Sequence, residues 1–168
     1  MRISIIVPHL NQEDQLRACL ESLHAQEGAE GVAREILVVD NGSARLPEAV
    51  CAAWDDVALL SEPTPGPGPA RNRGVAAATG DILAFIDADC RAAPGWIAAI
   101  VGALSRPGRP IVGGDVRVGY ATPGRPSFVE PYENLYAYRN RDYIEKQGFS
   151  GTGNLATFPE VWADVGPF

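Results

Sequence analysis

The chain has 168 residues, 46% hydrophobic and 21% charged, which suits one globular domain with a sizeable core. Its net charge of -7, with no run of lysine or arginine, argues against a nucleic-acid surface. No apolar run approaches the ~18 residues of a membrane span, and Cys19, Cys51 and Cys90 lack any CxxC spacing, which argues against a zinc site or a disulfide framework.

Those thiols are expected to be reduced, in a cytoplasmic setting, with peripheral attachment at the inner face of the membrane left open. The first strand is expected at Ile3 to Val7, with no charged leader before it and Pro8 ending it. Asn11 is then predicted to cap a helix running to about Gln26, with Leu16, Leu20 and Leu23 on one face. A second strand over Glu35 to Val39 ends in Asp40-Asn41-Gly42-Ser43, a turn sequence that carries a carboxylate at the strand's end. A short helix around Pro47 to Trp54 and a strand near Val57 to Leu60 follow. Glu62 to Pro69 then reads as a stiff surface loop of polyproline character.

Ala70 to Asp89 carries most of the chemistry. Arg71 and Arg73 are placed in the first turn of a helix, where free N–H groups already favour an anion. Cations there imply a bound phosphate or a salt bridge to nearby aspartates; the plainer alternative is two solvated arginines. Ile82 to Ile86 is a continuous apolar run, as expected of a strand buried on both faces in a parallel sheet. It ends in Asp87-Ala88-Asp89, where the carboxyl ends of strands meet ligands in open α/β sheets. Two carboxylates so spaced can share a hard cation, Mg2+ or Mn2+, leaving positions open for phosphate oxygens. Alternatively they end the strand and cap a helix near Pro94, although Ala93 occupies the cap position.

Pro94 to Leu104 reads as a helix and Ile111 to Val118 as a strand loosened by Gly113-Gly114. Val129 to Gln147 carries Tyr132, Tyr136 and Tyr143 at roughly helical spacing, a stripe that packs on the sheet or, alternatively, stacks on a sugar or faces a partner. Gly151 to Thr157 reads as a glycine-hinged turn into a strand and Pro159 to Val165 as a short helix. Strands alternating with helices predict an α/β fold with a mostly parallel, doubly wound sheet.

With Pro8, Asn11, VVDNGS, ARNRG and FIDAD in this order, and GTGNLATFPEVWADVGPF following, the chain resembles the family 2 inverting glycosyltransferases of the GT-A fold. The likeness covers nearly all 168 residues and implies a Rossmann-like, three-layer α/β/α domain. Residues 1–118 would form its nucleotide-sugar (donor) half, and 119–168 an incomplete acceptor-side portion. It implies a nucleotide-diphospho-sugar donor, a UDP-sugar first of all, and a glycan, lipid-linked or protein acceptor. By the same likeness Pro8, Asn11, Asp40, Arg71 and Asp87 bind the nucleotide, with Asp40 at the base and Asp87 near the ribose. Asp89 would ligate the metal, and Gly153 and Asn154 would line the acceptor side.

Two features depart from the family pattern. The loop before ARNRG is unusually rich in proline, and the acidic stretch that carries the family's general base would fall after Phe168. The chain is therefore expected to be a fragment, or else a sugar-nucleotide-binding module without turnover. Glu160 and Asp164 are not nominated as the base. A phosphotransferase of the haloacid-dehalogenase type also uses Asp-x-Asp after an apolar strand, but its pair lies near the N-terminus and is followed by threonine or valine, not Cys90-Arg91.

Overall fold

The computed structural model describes residues 1–108, 110–119 and 140–168. Six strands form one sheet: β1 (Arg2–His9), β2 (Ala33–Asp40), β3 (Val57–Ser61), β4 (Ile82–Ile86), β5 (Ile111–Gly113) and β6 (Asn154–Thr157), in the spatial order β3-β2-β1-β4-β6-β5. The four strands β3, β2, β1 and β4 pair in parallel, and β6 runs antiparallel to both β4 and β5. All five residues of β4 are buried, as its unbroken apolar run requires of a central parallel strand.

Alternation along the strands feeds two cores, one on each face. Ile3, Ile5, Val7, Ile36 and Val38 meet Leu16, Leu20 and Leu23 of α1 (Glu13–His24), Val50 of α2 (Glu48–Cys51), and Ile97 and Ile100 of α4 (Trp96–Leu104). On the other face Ile6, Val39, Leu83 and Phe85 pack against Ala70 and Val75 of α3 (Pro67–Ala77) and Trp162 of α5 (Pro159–Val165). The result is the three-layer α/β/α arrangement expected from the sequence.

Several boundaries differ from expectation, each for a local reason. Helix α1 begins at Glu13 after Gln12, so Asn11 does not cap it; Asn11 takes a left-handed φ of 54° and its Oδ1 accepts the Ala44 N–H at 2.9 Å. Helix α3 starts at Pro67, inside the stretch read as a loop, because proline's fixed φ and missing N–H suit a first helical turn. Arg71 and Arg73 consequently lie in the second turn, not the first. Helix α2 is confined to Glu48–Cys51, and β5 stops at Gly113, so residues 114–119 leave the sheet along its rim. Tyr132 and Tyr136 of the aromatic stripe lie outside the described residues. Tyr143 opens a π-helical turn, Tyr143–Gln147, and stacks on Phe149 with ring centroids 5.0 Å apart.

Away from the rim, His24, Arg34 and Asp56 tie α1, β2 and the approach to β3 together. His24 Nε2 and Arg34 Nε each lie 2.6 Å from an Asp56 oxygen, and the His24 ring stacks on Trp54 at 3.6 Å. Burial opposes ionisation of Asp56, but the bonds from His24 and Arg34 outweigh it and hold its pKa below the ordinary carboxylate value. A depressed folded-state pKa gives stability that is present above the unfolded value and lost as pH falls through the folded one. Asp56→Asn is therefore expected to cost about 1 kcal/mol at pH 7. In denaturant titrations at several pH values this difference should shrink below roughly pH 4.

Candidate functional site

The parallel pairing of β2, β1 and β4 delivers Asp40, His9 and Asp87 to one rim of the sheet. The strand order reverses direction between β1 and β4, the place where open α/β sheets bind ligands. A cleft of about 440 Å3 opens there, lined among others by Pro8, Asn41, Pro65, Arg71, Asp87 and Asp89. A second, of about 380 Å3, is lined by Asp87, Asp89, Cys90, Arg117, Thr152 and Gly153. The two carboxylates of the Asp-x-Asp sequence thus stand on the wall between two cavities.

Arg71 crosses from α3 to this wall. Its Nη2 lies 2.5 Å from Asp87 Oδ1, the salt bridge to a rim aspartate that its position in the sequence suggested. The arginine side chain is only 8% exposed, against 38% for Asp87, and its Nε has no hydrogen-bond partner. It can lie so deep because Gly74, one turn further along α3, presents no side chain to the sheet. A Cβ at Gly74 would come within 2.5 Å of Ile6 Cγ2 and 3.3 Å of Val39 Cγ2.

Asp87 is held from the opposite side by β6. Ile86 pairs with Asn154, which brings the turn before β6 against the aspartate, and a Cβ at Gly153 would lie 2.6 Å from Asp87 Oδ2. Asp89 is exposed, and its Oδ1 accepts the S–H of Cys90 at 3.6 Å. Burial and the neighbouring Asp89 and Asp87 push the Cys90 thiol up to about 12, so it stays neutral.

The structure places the remaining sequence candidates around the clefts instead of inside them. Asp40 is 2% exposed. Its Oδ1 lies 3.0 Å from His9 Nδ1, and its Oδ2 accepts the amides of Gly42 and Ser43 at 3.1 and 3.0 Å. Burial opposes its ionisation, but the Ser43 hydroxyl and amide, His9 and the Gly42 amide together hold the carboxyl below its ordinary value. Since His9 Nε2 accepts the Gln12 N–H at 3.2 Å, the ring proton is assigned to Nδ1, which donates to Asp40. Asn11, whose N–H donates to Ser43 Oγ at 2.8 Å, completes this braced corner beneath the first cleft.

Asn154 is likewise a brace. Its Oδ1 accepts the Trp96 indole N–H at 2.8 Å and its Nδ2 donates to the Asp115 carbonyl at 2.8 Å, which fixes the rim segment that walls the second cleft. Sequence reasoning missed His9 and Asn41. Asn41 Nδ2 donates to the carbonyls of Glu62 and Thr64 at 2.9 and 2.7 Å, and its Oδ1 accepts the Gly66 N–H at 2.7 Å. The proline-rich stretch is therefore a pinned wall of the cleft. The only signal for this was an asparagine beside a strand-end aspartate.

No group of three or more His, Cys, Asp or Glu placed to hold a metal exists among the described residues, and no helix among them is long and apolar enough to cross a membrane. The oxygen-only pair Asp87 and Asp89 still fits Mg2+ or Mn2+, which characteristically take one or two carboxylates and complete their shell with phosphate oxygens and water.

A mostly parallel sheet of this order, with an antiparallel strand feeding the rim where an Asp-x-Asp pair and a buried arginine meet, defines a GT-A glycosyltransferase fold. Residues 4–162 match the glycosyl transferase family 2 model, and the chain belongs to that family. It is 32% identical to the glycosyltransferase AglE of Haloferax volcanii, over 99% of this chain and 55% of that protein. The mannosyltransferase PcManGT from Pyrobaculum calidifontis, in complex with GDP-Man and Mn2+, shares the fold with a TM-score of 0.73 at 21% identity, over 99% of this chain and 47% of that one. The glucosyl-3-phosphoglycerate synthase of Mycobacterium tuberculosis, in complex with Mn2+, UDP and glucosyl-3-phosphoglycerate, gives a TM-score of 0.63 at 26% identity, over 95% and 57% of the two chains. The chain spans about half the length of these relatives.

Proposed function

We propose that this chain provides the donor site of a metal-dependent, inverting glycosyltransferase that moves a sugar from a nucleotide-diphospho-sugar to an acceptor hydroxyl. The observation that carries this reading is Arg71, a largely buried guanidinium that lines the first cleft together with Asp87 and Asp89. A diphosphate in that cleft would meet a positive charge already drawn out of water, with Asp87 keeping the guanidinium aimed.

In this reading residues 1–118 form the donor half and 119–168 part of the acceptor side. Pro8 and the pinned Pro65 wall flank the nucleotide, while Asp40 and Asn11 act through the corner they brace, at the base. Asp89, with Asp87, would hold Mg2+ or Mn2+, which supplies charge neutralisation for the departing diphosphate. Arg71 adds a fixed positive charge on the same side, already desolvated, where the leaving group's charge develops. The second cleft, behind Asp87 and Gly153, would take the acceptor, with Asn154 holding its wall. Inversion needs a carboxylate that takes the acceptor proton. Glu160 and Asp164 line neither cleft, and no base is assigned within these residues.

Calorimetric titration of the 168-residue chain with UDP and with GDP, each with and without Mn2+, tests the proposal. Binding of one nucleotide that requires the metal is expected; no binding of either in the presence of Mn2+ overturns the donor-site reading. Arg71→Ala is expected to weaken that binding by about 1.5 to 3 kcal/mol.

A further inference from the structure

The residue after Arg71 is not among those lining the cleft and instead grips Phe168, 96 positions further on. The Asn72 side chain makes a two-point bond to the backbone of Phe168: Nδ2 donates to its carbonyl at 3.1 Å and Oδ1 accepts its N–H at 3.0 Å. An amide that both donates to and accepts from one residue's backbone fixes position as well as orientation. Gly68 leaves room for this approach, since a Cβ there would stand 3.3 Å from Phe168 Cβ.

What the grip positions is an aromatic ring against the arginine. The Phe168 ring lies under the guanidinium, with the Arg71 Cζ 5.7 Å from its centroid, within cation–π range. The same ring meets Phe85 of β4 edge-on at 5.7 Å and Trp162 of α5 at 4.7 Å. Arg71 is thus bounded by Asp87 at one nitrogen and by Phe168 on one face, and Nε is its unpartnered donor. A long, rotamer-rich side chain held this way has surrendered its freedom before any ligand arrives, which strengthens binding by lowering the cost of ordering.

We infer that Asn72 is a positioning residue for the donor site: by clamping Phe168 beneath the guanidinium it pre-orients Arg71 towards an anionic ligand in the first cleft. This rests on the assignment of that cleft to a nucleotide diphosphate. The alternative role, a staple that merely keeps the segment around Phe168 on the domain, makes no prediction about Arg71.

A double-mutant cycle separates the two. UDP and GDP are titrated with Mn2+ into the wild-type chain, Asn72→Ala, Arg71→Ala and the double variant, with melting curves to check folding. Asn72→Ala is expected to lower nucleotide affinity about three- to tenfold in the wild-type background and by less than about twofold once Arg71 is alanine. Phe168→Leu, which keeps apolar bulk but removes the aromatic face, should show the same dependence on Arg71 and serves if Asn72→Ala does not fold. An equal loss in both backgrounds, or no loss from either variant, overturns the inference while leaving the donor-site reading in place. Failure of the wild-type chain to bind either nucleotide overturns that reading itself, and is seen before any variant is made.

Discussion

Asp89→Ala is expected to abolish the dependence of nucleotide binding on Mn2+ and leave the fold untouched. Asp89 is exposed on the wall shared by the two clefts, and its one described bond is the weak donation from the Cys90 thiol. Removing such a rim carboxylate should alter stability by no more than about 0.5 kcal/mol. Its partner Asp87 already spends Oδ1 on Arg71 and has Gly153 against Oδ2, so it cannot replace Asp89 as the less encumbered ligand. Calorimetry with Mn2+ should therefore give an affinity close to that measured without metal, with an unchanged melting temperature. Full retention of the metal effect would remove Asp89 from the metal site.

Gly74→Ala is expected to damage both stability and binding, although alanine is the better helix former by about 1 kcal/mol. The new Cβ would come 2.5 and 3.1 Å from the γ-carbons of Ile6 and 3.3 Å from Val39, side chains that are fully buried. Both neighbours are β-branched and stiff at χ1, so the helix must move instead of the sheet. Overpacking of this kind costs about 1–3 kcal/mol. Because α3 carries Arg71 one turn earlier, lifting the helix also shifts the guanidinium from Asp87. The expected outcome is a lower unfolding midpoint in urea together with weaker nucleotide binding, whereas a neutral result would mean that α3 does not sit on the sheet through Gly74.

The central strands were legible because parallel strands covered on both faces must be apolar throughout, and β4 is that pattern without interruption. The meeting of Arg71 with an aspartate of the rim was anticipated as well, but from a first-turn position that the helix, beginning at Pro67, does not give it. What the sequence concealed were choices made by tertiary partners. Asn11 looks like a cap, but its side chain is drawn to the Ala44 amide across the β1 and β2 ends. Pro67 to Pro69 looks like a loop, yet each proline can occupy a first turn that needs no N–H. Asp40 reads as a carboxylate at a strand's end, and nothing in its spacing shows that it is buried with its oxygens building the turn on which the cleft rests. Residue type and spacing gave no hint that Asn72 and Phe168, 96 positions apart, are bonded.

The reversed direction of β6 has an architectural consequence. A strand parallel to β4 would have carried its entry loop to the opposite edge of the domain, some strand length away from Asp87. Running antiparallel, it begins where β4 ends, and a segment from the last tenth of the chain arrives at a rim built by the first ninety residues. The two halves of such a site can then diversify almost separately. Changes at Gly151 and Thr152 or in the strip at residues 114–119 would reshape the second cleft while the parallel scaffold and its arginine stay as they are, whereas Gly153 stands against Asp87 and so is tied to the arginine's partner.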